Sequence, residues 1–370
     1  MAQQNQSETR VYVGTYTGKL GHVDGAAEGI YLYRFDPTTG ALAYVSVAPG
    51  ITNPSFLAID PQQRALYAVS EMKTPDGRAG GAVSAYAIDA ATGNLTHLNQ
   101  QSTGGADPCH LSVDATGKFL LVANYTSGSV AMFPIAADGS LGEPSDFVQH
   151  EGSSIDPNRQ QGPHAHSFMI DPGNRYAFAP DLGMDKVMQY KLDLAQGKLI
   201  PNDPPWVQIQ AGQGPRHFDF HPSRRHAYVI NELGSTVTAF AYDEAQGTLS
   251  AIQTLSTLPA DFSGRSHCAD IHVHPSGQFV YGSNRGHDSI AIFRIDEATG
   301  QLTALGHEST QGRTPRNFAI DPTGTILLAA NQDTSTVVTF WIDAQTGKLT
   351  PTGQVAAVPT PVCLKLVQVG

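Results

Sequence analysis

Arg216, Arg285 and Arg316 recur at one kind of place in this sequence, the start of a short apolar run or the turn that follows one. His110, His164, His166, His217 and Glu232 stand at places of the same kind. Guanidinium forks hold a carboxylate or phosphate by two parallel hydrogen bonds. A histidine or glutamate beside them can move a proton to or from a reacting group. Together these types point to a small anionic substrate and to acid–base chemistry on it. Taken one at a time, each arginine has a plainer reading, pairing with Glu232, Asp181 or a backbone carbonyl to hold a loop.

Metal chemistry is a separate question. His164-x-His166 and His272-x-His274 have strand spacing that puts both rings on one side. Zinc wants a third protein ligand, and Glu232 is a candidate for it. Two histidines alone do not make such a site, and no metal is expected. No Gly-x-Ser-x-Gly elbow, phosphate-binding loop or dinucleotide fingerprint is present. Neither a cofactor nor a covalent intermediate is required.

Composition narrows the partners. The chain has 370 residues and a net charge of −11, so nucleic acid and anionic membrane are poor partners. Hydrophobic residues make up 40% and charged residues 15%, as expected of a chain with a large core. Cys109, Cys268 and Cys363 are far apart and odd in number, which reads as reduced core thiols in a cytoplasmic protein. Residues 1–10 are polar and lack the apolar centre of a signal peptide. They read as a flexible N-terminus ahead of one domain spanning 11–370.

A recurring turn reveals the scaffold that must position the charged residues. Asp-Pro-Thr-Thr-Gly at 36–40 returns in related form six times, with its glycine at Gly40, Gly93, Gly139, Gly197, Gly247, Gly300 and Gly347. The spacings are 53, 46, 58, 50, 53 and 47 residues, the period of a propeller or array. Between 215 and 258 four short strands are legible: Arg216–Phe220, Ala227–Asn231, Thr236–Tyr242 and Leu249–Leu255. A four-stranded antiparallel meander repeated seven times about an axis is a seven-bladed β-propeller, an all-β fold. Val11–Thr15 resembles a second blade strand, and Pro361–Leu366 resembles a first one. The C-terminal strand is therefore expected to join the N-terminal blade and close the ring.

In such a meander the loop entering strand one and the loop joining strands two and three share one face. That top face receives Cys109-His110, His164-Ala165-His166, Arg216-His217, Ser266-His267 and Arg316 from the first set. It receives Tyr125, Asp181, Glu232, Asn284-Arg285 and Asn331-Gln332 from the second. The Asp-x-x-x-Gly turns and the His221-Pro222 and His274-Pro275 turns fall on the bottom and read as structural.

Three stretches carry a resemblance. They are Gly104 to His110, Asp156 to His166 with its Asn-Arg-Gln-Gln-Gly-Pro centre, and Ser283-Asn284-Arg285-Gly286-His287-Asp288-Ser289-Ile290. With these the chain, from about Val11 to Leu366, resembles the propeller-type lactonase family. That family includes bacterial 6-phosphogluconolactonases and fungal 3-carboxy-cis,cis-muconate lactonizing enzymes, and the stretches lean to the bacterial branch. The resemblance implies a catalytic set of His166, Arg216, Glu232 and Arg285. It implies hydrolysis of a sugar lactone, 6-phosphogluconolactone first, with Glu232 or His166 as base. His164, His217, Arg316 and His110 are the further substrate-binding candidates. The alternatives are a carboxymuconate cycloisomerase using the same four residues, and a non-enzymatic propeller scaffold, for which apolar patches rather than converging charges would be expected at the top.

Overall fold

The second strands of the blades are buried on both faces along nearly their whole length, so apolar residues run there without alternation. Ala65–Ser70 and His226–Asn231 are buried at every position. Outer strands such as Leu42–Pro49 are largely exposed. Faces of neighbouring blades supply the core. Phe178 stacks on Phe218 at 5.5 Å across one such interface, with Phe220 and Tyr242 edge-on.

The computed structural model describes residues 8–74, 76–77 and 79–369. They form seven four-stranded antiparallel sheets arranged as a β-propeller. Blade 5, for example, comprises Pro215–Phe220, His226–Asn231, Thr236–Asp243 and Thr248–Ser256, each end within one residue of its expected place. Blade 1 is assembled from both ends of the chain, in the order Pro361–Val369, Glu8–Thr15, Gly29–Phe35 and Leu42–Pro49. The closing pair runs antiparallel from Glu8↔Val369 to Thr15↔Pro361. Glu8, Thr9 and Arg10 therefore belong to a strand, where a flexible segment to residue 10 was expected; pairing with Val367–Val369 extends the blade. The rest of that expected segment, residues 1–7, lies outside the described residues. A small hairpin, Lys19–Leu20 with Val23–Asp24, is inserted in blade 1.

The repeated bottom turn links blades. The Gly93 carbonyl accepts from the Tyr12 hydroxyl at 2.7 Å, and Gly347 does the same for Tyr281 at 2.8 Å. At Gly247, with φ +65°, a Cβ would come within 2.2 Å of the Tyr176 ring, so only glycine fits. His221 Nε2 donates to the Gly277 carbonyl and His274 Nε2 to that of Gly324, both at 2.8 Å. These histidines tie the first turn of one blade to that of the next. Among the described residues no helix is long and apolar enough to cross a membrane.

Candidate active site

In blades 3, 5 and 7 the top of the inner strand opens with a bulge. Pro215 pairs with Asn231 and His217 with Ile230, so Arg216 is an extra residue. Cys109 and Arg316 are extra residues in the same way in blades 3 and 7. Such bulges re-aim a side chain and often flank active sites. The second strands supply the opposing wall. Glu232 follows Asn231 in blade 5, Glu71 follows Ser70 in blade 2, Tyr125 follows Asn124 in blade 3, and Arg285 ends the strand of blade 6.

These positions surround a cavity of about 360 Å³ at the top of the axis. That lies within the usual span of small-molecule sites, roughly 300–1,000 Å³. Its wall carries the carboxylates Glu71, Asp107 and Glu232, the cations Lys73, Arg159, Arg285 and Arg316, and the rings of His22, His166, His267 and Tyr125.

Glu232 is the centre of one half. Its Oε1 accepts from Arg159 Nη2 at 2.7 Å, and its Oε2 from Arg285 Nη2 at 2.9 Å and Arg216 Nε at 3.1 Å. Arg159 Nη2 also donates to the Tyr125 hydroxyl at 3.0 Å. Burial opposes the charge on Glu232, but Arg285, Arg216, His166 and Arg159 outweigh it and hold the carboxyl well below its ordinary value. His166 Nε2 lies 3.9 Å from Glu232 Oε2. Burial and the Arg216 charge push the His166 imidazole well below its ordinary value, so it is neutral at neutral pH.

The other half is differently built. The Tyr16 hydroxyl lies 3.1 and 3.0 Å from the two oxygens of Glu71, and His22 Nε2 lies 3.4 Å from that hydroxyl. Glu71 is fixed by its backbone, its N–H donating to the Asn53 carbonyl at 3.1 Å. Burial raises its carboxyl above the ordinary value, against the pull of Arg316. Arg316 has its guanidinium 5.6 Å from the Tyr16 ring centre and makes no hydrogen bond or ion pair among the described residues. Burial pushes the Cys109 thiol well above its ordinary value, which leaves no thiolate nucleophile here.

His166, Glu232, Arg285 and Arg316 thus line one cavity. Arg216 lies directly behind Glu232, its Nη1 donating to the Ala269 carbonyl. Three expected substrate contacts stand outside the lining. His164 stacks on Tyr125 at 4.7 Å and bonds its carbonyl at 2.9 Å. His110 lies against Phe56 with ring centres 4.3 Å apart, and His217 Nδ1 bonds Asp270 Oδ1 at 2.7 Å. The bulge takes up Cys109 and Arg216 at the mouth; the next residue resumes the ladder deeper in the axis. The two His-x-His pairs do not converge: His272 bonds Asp270 at 3.1 Å while His274 sits in a bottom turn. Among the described residues no group of three or more His, Cys, Asp or Glu is placed to hold a metal ion.

Several lining residues were not singled out as site residues from sequence. Glu71 had a signal, its equivalence to Glu232. Arg159 projects from the turn that follows Asp156, whose Oδ1 accepts its N–H at 3.1 Å; no other blade has a counterpart. Lys73 and Asp107 form an ion pair of 3.4 Å across the wall.

A seven-bladed propeller with a charged, recessed cavity at one end of its axis is the class that fold and site define. Residues 10–366 match the family described as Lactonase, 7-bladed beta-propeller, and the chain belongs to that family. It is 40% identical over 354 residues to a 6-phosphogluconolactonase of Bacillus subtilis (strain 168), covering 96% of this chain and 97% of that one. A 6-phosphogluconolactonase of Formosa agariphila is 36% identical, over 84% of this chain and 86% of its own. Among solved structures, the periplasmic gluconolactonase of Pseudomonas aeruginosa is similar with a TM-score of 0.90 and 37% identity, covering 98% of this chain and 100% of that one.

Proposed function

We propose that the protein hydrolyses a sugar lactone, 6-phosphogluconolactone to 6-phosphogluconate. The observation that carries this reading is Arg316, a cavity guanidinium with no carboxylate bound to it among the described residues, facing the same space as neutral His166. A free fork of this kind suits a phosphate. The names of the Bacillus and Formosa relatives support the same substrate.

In this reading a water attacks the ring carbonyl carbon and His166 Nε2 takes its proton. Glu232, 3.9 Å away, stabilises the imidazolium as it forms. The Arg285 guanidinium supplies positive charge for the oxyanion. Arg216 acts through Glu232, as a positioning residue. Glu232 itself is unsuited to be the base, since three guanidiniums would have to release it before it could accept a proton. Collapse breaks the bond from the carbonyl carbon to the ring oxygen, which takes a proton, and His166 returns its own to solvent. The buried free thiols Cys109, Cys268 and Cys363 support a reducing, cytoplasmic setting, in contrast to the relative named periplasmic.

The test is turnover of 6-phosphogluconolactone, unphosphorylated gluconolactone and a carboxymuconate by purified protein, with spontaneous hydrolysis subtracted. The phosphorylated lactone should have the highest kcat/KM. Turnover of the carboxymuconate with no lactone hydrolysis above background would replace this reading by the cycloisomerase one.

A further inference from the structure

We propose that Glu71 is the general acid of this site, giving its proton to the ring oxygen as the lactone opens. The assignment rests on the lactonase reading. It starts from a chemical need. The leaving group is the alkoxide of a sugar carbon, a strong base, and its expulsion is accelerated by a positioned proton donor. His166 is neutral and acts as acceptor; Glu232 is held ionised by its arginines. Neither can donate.

Geometry selects Glu71. It lines the cavity, it is 6% exposed, and its carboxyl contacts no cation within ion-pair distance among the described residues. The groups that face it are Arg316 from blade 7, the Ser55 hydroxyl ahead of blade 2, the Tyr16 hydroxyl from blade 1, and Asp107 and the Cys109 thiol from the start of blade 3. His22 and Lys73 stand behind Tyr16 and Asp107 respectively. Burial favours the protonated carboxyl, and Arg316 only partly offsets it. The substrate strengthens this bias. In 6-phosphogluconolactone the ring oxygen lies between the carbonyl carbon and the carbon that bears the phosphate arm. A donor to that oxygen must sit between the carbonyl site, at His166 and Arg285, and the phosphate site, at Arg316. A phosphate dianion on Arg316 also keeps a neighbouring carboxyl protonated.

The step balances. The bond from the carbonyl carbon to the ring oxygen breaks, its electron pair stays on oxygen, and the Glu71 proton forms the new hydroxyl. Glu71 is left as a carboxylate beside Arg316, and His166 as an imidazolium. Solvent restores both, and the product acid ionises. Two carboxylates pushed in opposite directions by their surroundings are a common sign of such divided roles.

Glu71→Gln should lower kcat by about 10²- to 10⁴-fold, the usual worth of acid–base catalysis, with affinity for 6-phosphogluconate close to wild type. The alkaline fall of wild-type kcat, where Glu71 loses its proton, should vanish. Tyr16→Phe keeps the test decisive if the Gln variant folds poorly. Removing the hydroxyl that favours the carboxylate should move the alkaline fall to higher pH. A Gln variant with wild-type kcat, or an alkaline fall unchanged in the folded variants, would overturn the assignment while wild-type turnover left the lactonase reading standing. Wild-type protein with no lactone turnover would instead remove the reading on which the assignment rests.

Discussion

Glu71 and Glu232 occupy the same position in blades 2 and 5, the first residue after the second strand, and both are almost fully buried on one cavity. Their surroundings diverge. Glu232 meets three guanidiniums; Glu71 meets one phenol, with Arg316 beyond ion-pair reach. One carboxyl is pulled down and the other pushed up. The repeat fixes where a side chain stands, and the neighbouring blades decide what it can do. A propeller can therefore bias two carboxyls of the same blade position in opposite directions across one mouth.

The comparison breaks first on stability. Glu232→Gln leaves three buried or half-buried guanidiniums without their shared carboxylate. It should destabilise the fold by roughly 3–5 kcal/mol, the usual loss on breaking a buried ion pair. Glu71→Gln breaks no ion pair among the described residues and alters one hydrogen bond, so it should cost less than about 1.5 kcal/mol. Urea unfolding of the two variants gives both numbers, and equal losses would mean that the two halves are alike.

Arg316 sharpens the comparison next. Arg316→Ala should weaken 6-phosphogluconate binding by about 1.5–3 kcal/mol, one charge-assisted contact, or roughly 10- to 150-fold. Binding of unphosphorylated gluconate should hardly change. Titration calorimetry with both products decides it; an equal loss for both would move the phosphate away from the Glu71 half.

Acid titration separates the carboxyls most finely. The folded value of Glu232 lies below the unfolded one, about 4.3. Its contribution is full above about pH 4.3 and is lost as pH falls through the folded value. Glu71 is raised when folded, so it costs stability above about pH 4.3 and that cost disappears on acidification. The stability gap between wild type and Glu232→Gln should thus narrow below about pH 4.3. For Glu71→Gln the wild type should instead gain on the variant as pH falls towards about 4.3. Each slope is limited to about 1.4 kcal/mol per pH unit, one proton's worth. Parallel curves for the two variants would contradict the opposite shifts.

Much of this was legible in the sequence because the turns repeat. Seven glycine turns gave the blades, and the likeness of Pro361–Leu366 to an inner strand gave the closure. His166, Glu232 and Arg285 were placed at the mouth by the same alignment. Glu71 escaped because its strand ends in Ser70, where blades 3, 5, 6 and 7 have Asn124, Asn231, Asn284 and Asn331 before the mouth residue. Arg159 escaped because its long loop has no counterpart to align. His110 and His217 were placed too high because a bulge inserts one residue ahead of each, and alternation along a strand cannot reveal an extra residue.

The shared blade has a bearing on how the chain is made. Synthesis delivers Glu8–Thr15 about 350 residues ahead of Pro361–Val369, yet the two lie side by side. Six blades are contiguous in the chain and can form in turn as it leaves the ribosome. The first blade cannot. Until Pro361–Val369 has emerged, Glu8–Thr15 offers an unpaired strand edge, the kind of surface on which nascent chains associate with one another. The hazard of this architecture is thus concentrated in the interval before Pro361–Val369 is free to pair, and the pairing of that nine-residue strand ends it.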